Sequence, residues 1–135
     1  MLKPIIEIDG RTFDSLNKFF DVFGAVVLGG VEYGRNLEAF NDALRGGFGS
    51  PEGGFILRWT HSDVSRSKLG YEETVRFVES KITSCHPSNV NFVLSDLKRA
   101  RNGEGETLFE IICAIIRNHG PGGEESEDGV ELQLA

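Results

Sequence analysis

The sequence predicts an α/β fold: one domain with a three-stranded parallel sheet packed with four to five helices. Three observations lead there. Short apolar runs at Pro4–Ile8, Phe55–Trp59 and Val130–Leu134 read as strands. Helix-patterned stretches separate each run from the next, and helical crossovers make the flanking strands parallel, with right-handed connections. The chain has 135 residues, 39% of them hydrophobic, without an internal repeat or a linker-like stretch. That is the usual size of one domain and enough apolar surface for a core.

The elements follow in order. Ile5, Ile6 and Ile8 are β-branched and suit a buried strand, which Asp9-Gly10 closes as a turn. Asp14 or Ser15 can cap the next helix by accepting backbone N–H bonds. Leu16, Phe19, Phe20 and Phe23 fall at helical spacing, and Gly24 marks the expected end. Ala25 to Val31 reads as an apolar connection packed on the core. Tyr33 to Leu44 forms the second expected helix, with Asn36 as a cap. Leu37, Phe40, Ala43 and Leu44 share one face of it, and Arg35, Glu38, Asn41, Asp42 and Arg45 share the other. Gly46 to Gly54 is a loop by composition.

Residues 60–70 are polar and read as irregular. Tyr71 to Ile82 is helical, with Glu72 and Glu73 in the first turn where the helix dipole favours them. His86-Pro87 breaks the chain, and Ser88 can cap a helix running to Ala100. Asn102 to Gly105 is a further break. Thr107-Leu108-Phe109-Glu110 fits a capping box. It opens the most apolar helix, through Leu108, Ile111, Ile112, Ile115 and Ile116 to His119-Gly120. Gly120 to Gly129 carries the acidic run Glu124, Glu125, Glu127 and Asp128, expected as a solvated loop. Glu131 and Gln133 alternate with Val130, Leu132 and Leu134, the pattern of a strand with one wet face.

Composition narrows the function. Twenty-one acidic against fourteen basic side chains leave a net charge of −7. That balance argues against a nucleic-acid backbone or an anionic membrane as partner and leaves basic proteins open. No run approaches the length of a membrane span. Met1-Leu2-Lys3-Pro4 leads into Glu7 and Asp9 and does not read as a leader peptide. Cys85 and Cys113 are too few for a disulfide framework, so both thiols are expected free in a reducing cytoplasm.

Catalytic patterns fail. The chain lacks the phosphate-binding Gly-rich signature, and Gly47-Phe48-Gly49 lacks the third glycine of a dinucleotide fingerprint. His61, His86 and His119 lie in loops or at a helix end, and Cys85-His86 does not match zinc-ligand spacing. His119 at a helix C-terminus fits the dipole. Cys113 sits among apolar residues as a small core side chain. The reading is therefore no enzyme, no cofactor and no metal. A pocket combining Cys85, His86 and His61 is the arrangement an enzyme would need.

One helix face points elsewhere. Glu38 and Asp42 lie four apart and repel each other, while Arg35 and Arg45, each three residues outward, can offset that locally. Such a pair is either a solvated face or an anionic contact surface for a cationic pocket.

The segment Tyr33-Gly34-Arg35-Asn36-Leu37-Glu38-Ala39-Phe40-Asn41-Asp42-Ala43-Leu44-Arg45-Gly46 resembles the hallmark of the barstar family. Ile6 to Gly10 looks like that family's first strand and turn. Phe55 to Trp59 looks like its second strand, and Thr107 to Asn118 with Val130 to Leu134 like its last helix and strand. Residues 60–106 then read as a helical insertion relative to the shortest members. The resemblance implies a compact cytoplasmic inhibitor, monomeric when free, that blocks a basic extracellular-type ribonuclease or nuclease toxin and serves as its immunity protein. Such an enzyme holds a phosphodiester in a cleft of cationic side chains, and a carboxylate fixed on a helix can occupy the phosphate position. By position Asp42 is the implied phosphate mimic and Glu38 the neighbouring carboxylate. Tyr33, Gly34, Arg35, Asn41, Arg45, Gly46 and Phe48 complete the implied contact.

The departures are specific. Glu32 stands where the family has a second Tyr, Asn41 where it has an aromatic before the key Asp, and Arg45 where a small polar residue is common. Gly47 replaces an aromatic that Phe48 can supply. Ala114 and Asn118 replace contact carboxylates of the last helix. These changes make the face more polar and keep a second reading open: an interaction or immunity module of the same fold for a basic partner that is not a ribonuclease.

Overall fold

The middle strand carries the sheet. β2 (Phe55–Thr60) pairs in parallel with β1 (Ile5–Asp9) on one side and with β3 (Val130–Leu134) on the other. The register sets Leu57 between Ile6 and Leu132, and Trp59 between Ile8 and Leu134. Alternation along β2 sends Phe55, Leu57 and Trp59 into the core and leaves Ile56, Arg58 and Thr60 half-exposed on the other face. The structure is a computed structural model and describes residues 3–135; Met1 and Leu2 of the N-terminal reading lie outside them.

Six α-helices accompany this sheet among the described residues: α1 (Leu16–Val26), α2 (Leu37–Leu44), α3 (Ser62–Lys68), α4 (Tyr71–Ser84), α5 (Val90–Arg101) and α6 (Leu108–Asn118). The parallel sheet stands as expected. Several boundaries do not. α1 runs through Gly24, whose lack of a side chain serves packing instead: a Cβ there would sit 3.1 Å from the Tyr33 ring. The chain turns three and four residues beyond the helix, at Gly29 and Gly30, both with positive φ. Ser15, not Asp14, caps α1, accepting from the Lys18 N–H at 3.2 Å. α2 starts at Leu37, because extended Asn36 caps it through a 2.8 Å bond from Ala39 N–H. Tyr33, Gly34 and Arg35 therefore precede the helix.

α3 corrects the irregular reading of residues 60–70. Its sequence has one apolar residue, Val64, and no hydrophobic period; contacts from outside make it helical. Trp59 Nε1 donates to Ser65 Oγ at 2.9 Å, and Ser65 Oγ donates to the Gly10 carbonyl at 3.3 Å. The backbone of Gly10 lies so close to His61 and Ser65 that a Cβ would overlap both. Ser88 does not cap α5 either. It sits inside a 3-10 turn, Pro87–Asn89, where His86 Nδ1 accepts from its N–H at 3.1 Å.

The core is aromatic. Trp59 stacks on Phe19 at 5.4 Å and meets Phe109 at 5.1 Å, while Phe40 meets Phe23 edge-on at 4.8 Å. Such pairs contribute roughly 0.5–1.5 kcal/mol each beyond their burial. Through Phe40, which is wholly buried, the short helix α2 is seated on this cluster. A separate apolar seam of Val78, Val93 and Leu97 joins α4 to α5. Glu73 and Thr74 tie the base of that hairpin to the rest. The Glu73 carboxylate accepts from Leu16 N–H at 2.7 Å, and Thr74 Oγ1 accepts from Leu108 N–H at 2.9 Å. Thr107 and Glu110 form the expected capping box of α6.

Candidate functional site

α2 presents its outer face to solvent because its inner face is anchored. Phe40, Ala43 and Leu44 are buried, and Leu37 is half-buried against the same core. Burying a side chain such as Phe40 stabilises by about 1.5–3 kcal/mol. Glu38 lies exposed in the first turn, and Asp42, one turn on, keeps 55% of its side chain exposed. The two expected carboxylates thus point outward from a helix that cannot easily shift.

Arg45 and Arg35 behave differently from each other. Arg45 Nη1 donates to Asp42 Oδ1 at 2.6 Å, as the spacing suggests, and its Nε donates to Glu125 Oε1 at 2.7 Å. The Glu125 bond, with its charge, raises the Arg45 pKa, and the Arg45 hydrogen bond lowers that of Glu125. Arg35 offsets neither carboxylate of the face. Lying before the first helical turn, it reaches α1 instead, pairing with Asp21 at 2.7 Å and donating to the Asn17 carbonyl at 3.1 Å.

Asn41 makes a contact that helix spacing does not reveal. Its side chain turns inward, and its Oδ1 lies 2.7 Å from Nε2 of His119. The other ring nitrogen of His119 lies 2.7 Å from Asp128 Oδ2, and the imidazole is wholly buried. His119 is therefore more than a dipole-matched helix end: it joins α2 to the loop before β3. The acidic run is likewise not simply solvated, since Glu125 and Asp128 face Arg45 and His119. Asn118 holds that loop. Its side chain accepts from Glu124 N–H and its carbonyl from Glu125 N–H, both at 2.9 Å. Ala114 is exposed on α6.

The remaining expected residues flank the helix. Tyr33 is half-buried and donates from its hydroxyl to the Phe20 carbonyl at 2.7 Å, and burial pushes its pKa up. Gly34 is exposed and packs against Ala39 at the helix start. Gly46 has φ of 104°, and its N–H bonds the Ala43 carbonyl, ending α2. Phe48 is half-buried against the main core. The Tyr33 ring packs against Phe20 and Phe23 of α1. The sequence reading missed Glu125, Asp128 and His119 as neighbours of α2. No local spacing links them to Asn41, which lies 78 residues from His119 in the chain.

His119, Glu125 and Asp128 bring ligand-type atoms within 4.8 Å of one another. A cation already sits among them, because the Arg45 guanidinium holds Glu125 at 2.7 Å. The other histidines serve local contacts. His61 lies 3.3 Å from Asp9 at the end of β1, and His86 folds back on Ser88. Cys85 Sγ faces the Ile82 carbonyl.

The molecule is an α/β protein that displays carboxylates from a surface helix whose inner face is buried. Residues 3–109 match the family described as Barstar (barnase inhibitor), and the chain belongs to that family. The match runs through α3, α4 and α5 and reaches the start of α6. No curated protein matches the chain. Among the described residues no helix is long and apolar enough to cross a membrane.

Proposed function

We propose that this protein is an intracellular inhibitor of a cationic ribonuclease or nuclease toxin, and that Asp42 enters the partner's phosphate-binding cleft. The observation that carries the reading is the exposed Asp42 carboxylate on a helix immobilised by Phe40, Ala43 and Leu44. A preorganised carboxylate meets a guanidinium or ammonium in charge-assisted hydrogen bonds without losing much conformational entropy. Glu38 adds charge along the same face, and Tyr33, Gly34, Arg35, Asn41, Arg45, Gly46 and Phe48 border or support it. Membership of a family described as barnase inhibitors supports the same class of partner. Such an inhibitor acts in the cytoplasm of the producing cell as a monomer, by occlusion, and calls on no cofactor or metal. Within residues 60–106, read as an insertion, Leu69 belongs to the main core and Ser65 is buried, while the α4–α5 hairpin has its own seam.

The test is direct. Purified protein is mixed with barnase and with the product of the neighbouring reading frame, and RNA hydrolysis is followed. Inhibition is expected against at least one basic ribonuclease. Asp42→Ala should weaken it by about 2 kcal/mol or more, because the partner's desolvated cation loses its counter-charge. Its thermal unfolding should match that of the parent. Inhibition by Asp42→Ala equal to the parent's would refute the assignment of Asp42. A failure to inhibit any ribonuclease, with capture of a basic non-nuclease partner, would replace the reading with that of an interaction or immunity module.

A further inference from the structure

Asp42, the carboxylate assigned to the partner, is already engaged. Arg45 Nη1 holds one of its oxygens at 2.6 Å from one helical turn away. Arg45 is in turn held at Nε by Glu125, 2.7 Å away. The three groups lie in a row: carboxylate, guanidinium, carboxylate. Their exposure differs. Asp42 and Arg45 have 55% and 48% of their side chains exposed, but Glu125 has 27%. Glu125 is also fixed by its backbone N–H on the Asn118 carbonyl.

We propose that Arg45 is a built-in counter-ion that a partner's cation displaces from Asp42, and that Glu125 retains Arg45 when this happens. The proposal rests on the reading of Asp42 as the inserted carboxylate and adds a specificity filter to it. A guanidinium has five N–H donors, so Arg45 can release Asp42 and keep its bond to Glu125. The released Nη donors then face outward beside the inserted Asp42. A partner with cationic groups only meets two positive charges side by side there. A partner that also carries a carboxylate at the rim of its cleft satisfies Arg45 and is preferred. Arg45 thus discriminates among basic partners, and Asp42 alone does not.

A labelled hexa-arginine peptide, which offers guanidinium groups and no side-chain carboxylate, is the probe. Its binding at low salt is read by fluorescence anisotropy, and the Asp42 Cγ resonance is followed by NMR. Arg45→Gln is expected to tighten binding about two- to five-fold, the range of an exposed ion pair removed from competition. In an Asp42→Asn background the same change should tighten binding distinctly less, since only the loss of one positive charge is left. Glu125→Gln, which leaves Arg45 to Asp42 alone, should weaken binding. If Arg45→Gln tightens binding equally with and without Asp42, the effect is net charge alone and the proposal falls. It also falls if Arg45→Gln weakens binding or leaves it unchanged while Asp42→Asn weakens it; the assignment of Asp42 then survives. If Asp42→Asn does not weaken peptide binding and the Asp42 Cγ resonance of the parent does not move on adding the peptide, the assignment of Asp42 fails and takes the counter-ion with it.

Discussion

Asn41 Oδ1 lies 2.7 Å from His119 Nε2, so a residue on the outer helix is anchored to an imidazole with no solvent exposure. The bond crosses from α2 to the end of α6, and Asp128 completes it on the far side of the ring at 2.7 Å. The position that a more aromatic face would give to contact is here given to support. The orientation of α2, and with it the aim of Asp42, depends on a polar chain beneath the helix.

Asn41→Ala should lower stability by about 1–3 kcal/mol, since it leaves a buried ring nitrogen without its partner. Chemical denaturation measures this. Glu38→Ala, on the exposed side of the same helix, should stay within roughly 0.5 kcal/mol of the parent. Equal effects of the two variants would show that the Asn41 bond does not support the helix.

Glu73 ties α4 to the first residue of α1, accepting from Leu16 N–H at 2.7 Å while its side chain is only 9% exposed. Removing it strands that N–H in the interface, so Glu73→Ala should cost about 1–3 kcal/mol. Glu73→Gln keeps an acceptor oxygen and should recover most of the loss. Recovery by Gln separates the hydrogen bond from the charge, and its absence would assign the effect to the Arg76 pair at 3.3 Å.

The Arg11 side chain, and next its backbone N–H, hold the Asp9 carboxyl down to about 2. The folded state therefore favours the ionised form. Its contribution is present above the unfolded carboxylate pKa of about 3.9 and is lost as pH falls through about 2. An NMR titration of the Asp9 Cγ should show that low midpoint. Arg11→Gln should raise it part of the way back, because the backbone bond survives.

The two thiols should separate by reactivity. Burial pushes the Cys113 thiol up to about 11, whereas Cys85 is half-buried at the end of α4. The thiolate is the reacting species. A disulfide reagent at mildly alkaline pH should therefore modify one thiol in the native protein and the second only on unfolding. Cys85→Ser should abolish the first reaction and spare the second.

Much of the architecture was legible from local pattern. The β-branched and alternating runs around Ile5, Leu57 and Leu132 became strands, and helices between them required parallel pairing. Asn36 and the Thr107–Glu110 box mark helix starts because capping is chemistry within four residues. The exposed pair Glu38 and Asp42 was legible for the same reason: a helix repeats every 3.6 residues, so spacing alone puts them on one face. α3 was not legible, since its helical state comes from the Trp59–Ser65–Gly10 chain and not from any period of its own.

What the sequence by itself determined is the parallel α/β frame, the acidic helix face and the absence of a local catalytic pattern. Only the tertiary structure decided which polar residues of that face are free. Asn41 and Asp42 are adjacent in the sequence and both polar. One turns to His119, 78 residues away, and the other meets Arg45 within one helical turn. Arg45 in its turn reaches Glu125, 80 residues away, in a run that reads as a solvated loop. Periodicity reports which side of a helix a residue occupies. It carries no information about groups that folding brings there from distant parts of the chain, and those groups decide whether a charge faces solvent alone or already paired.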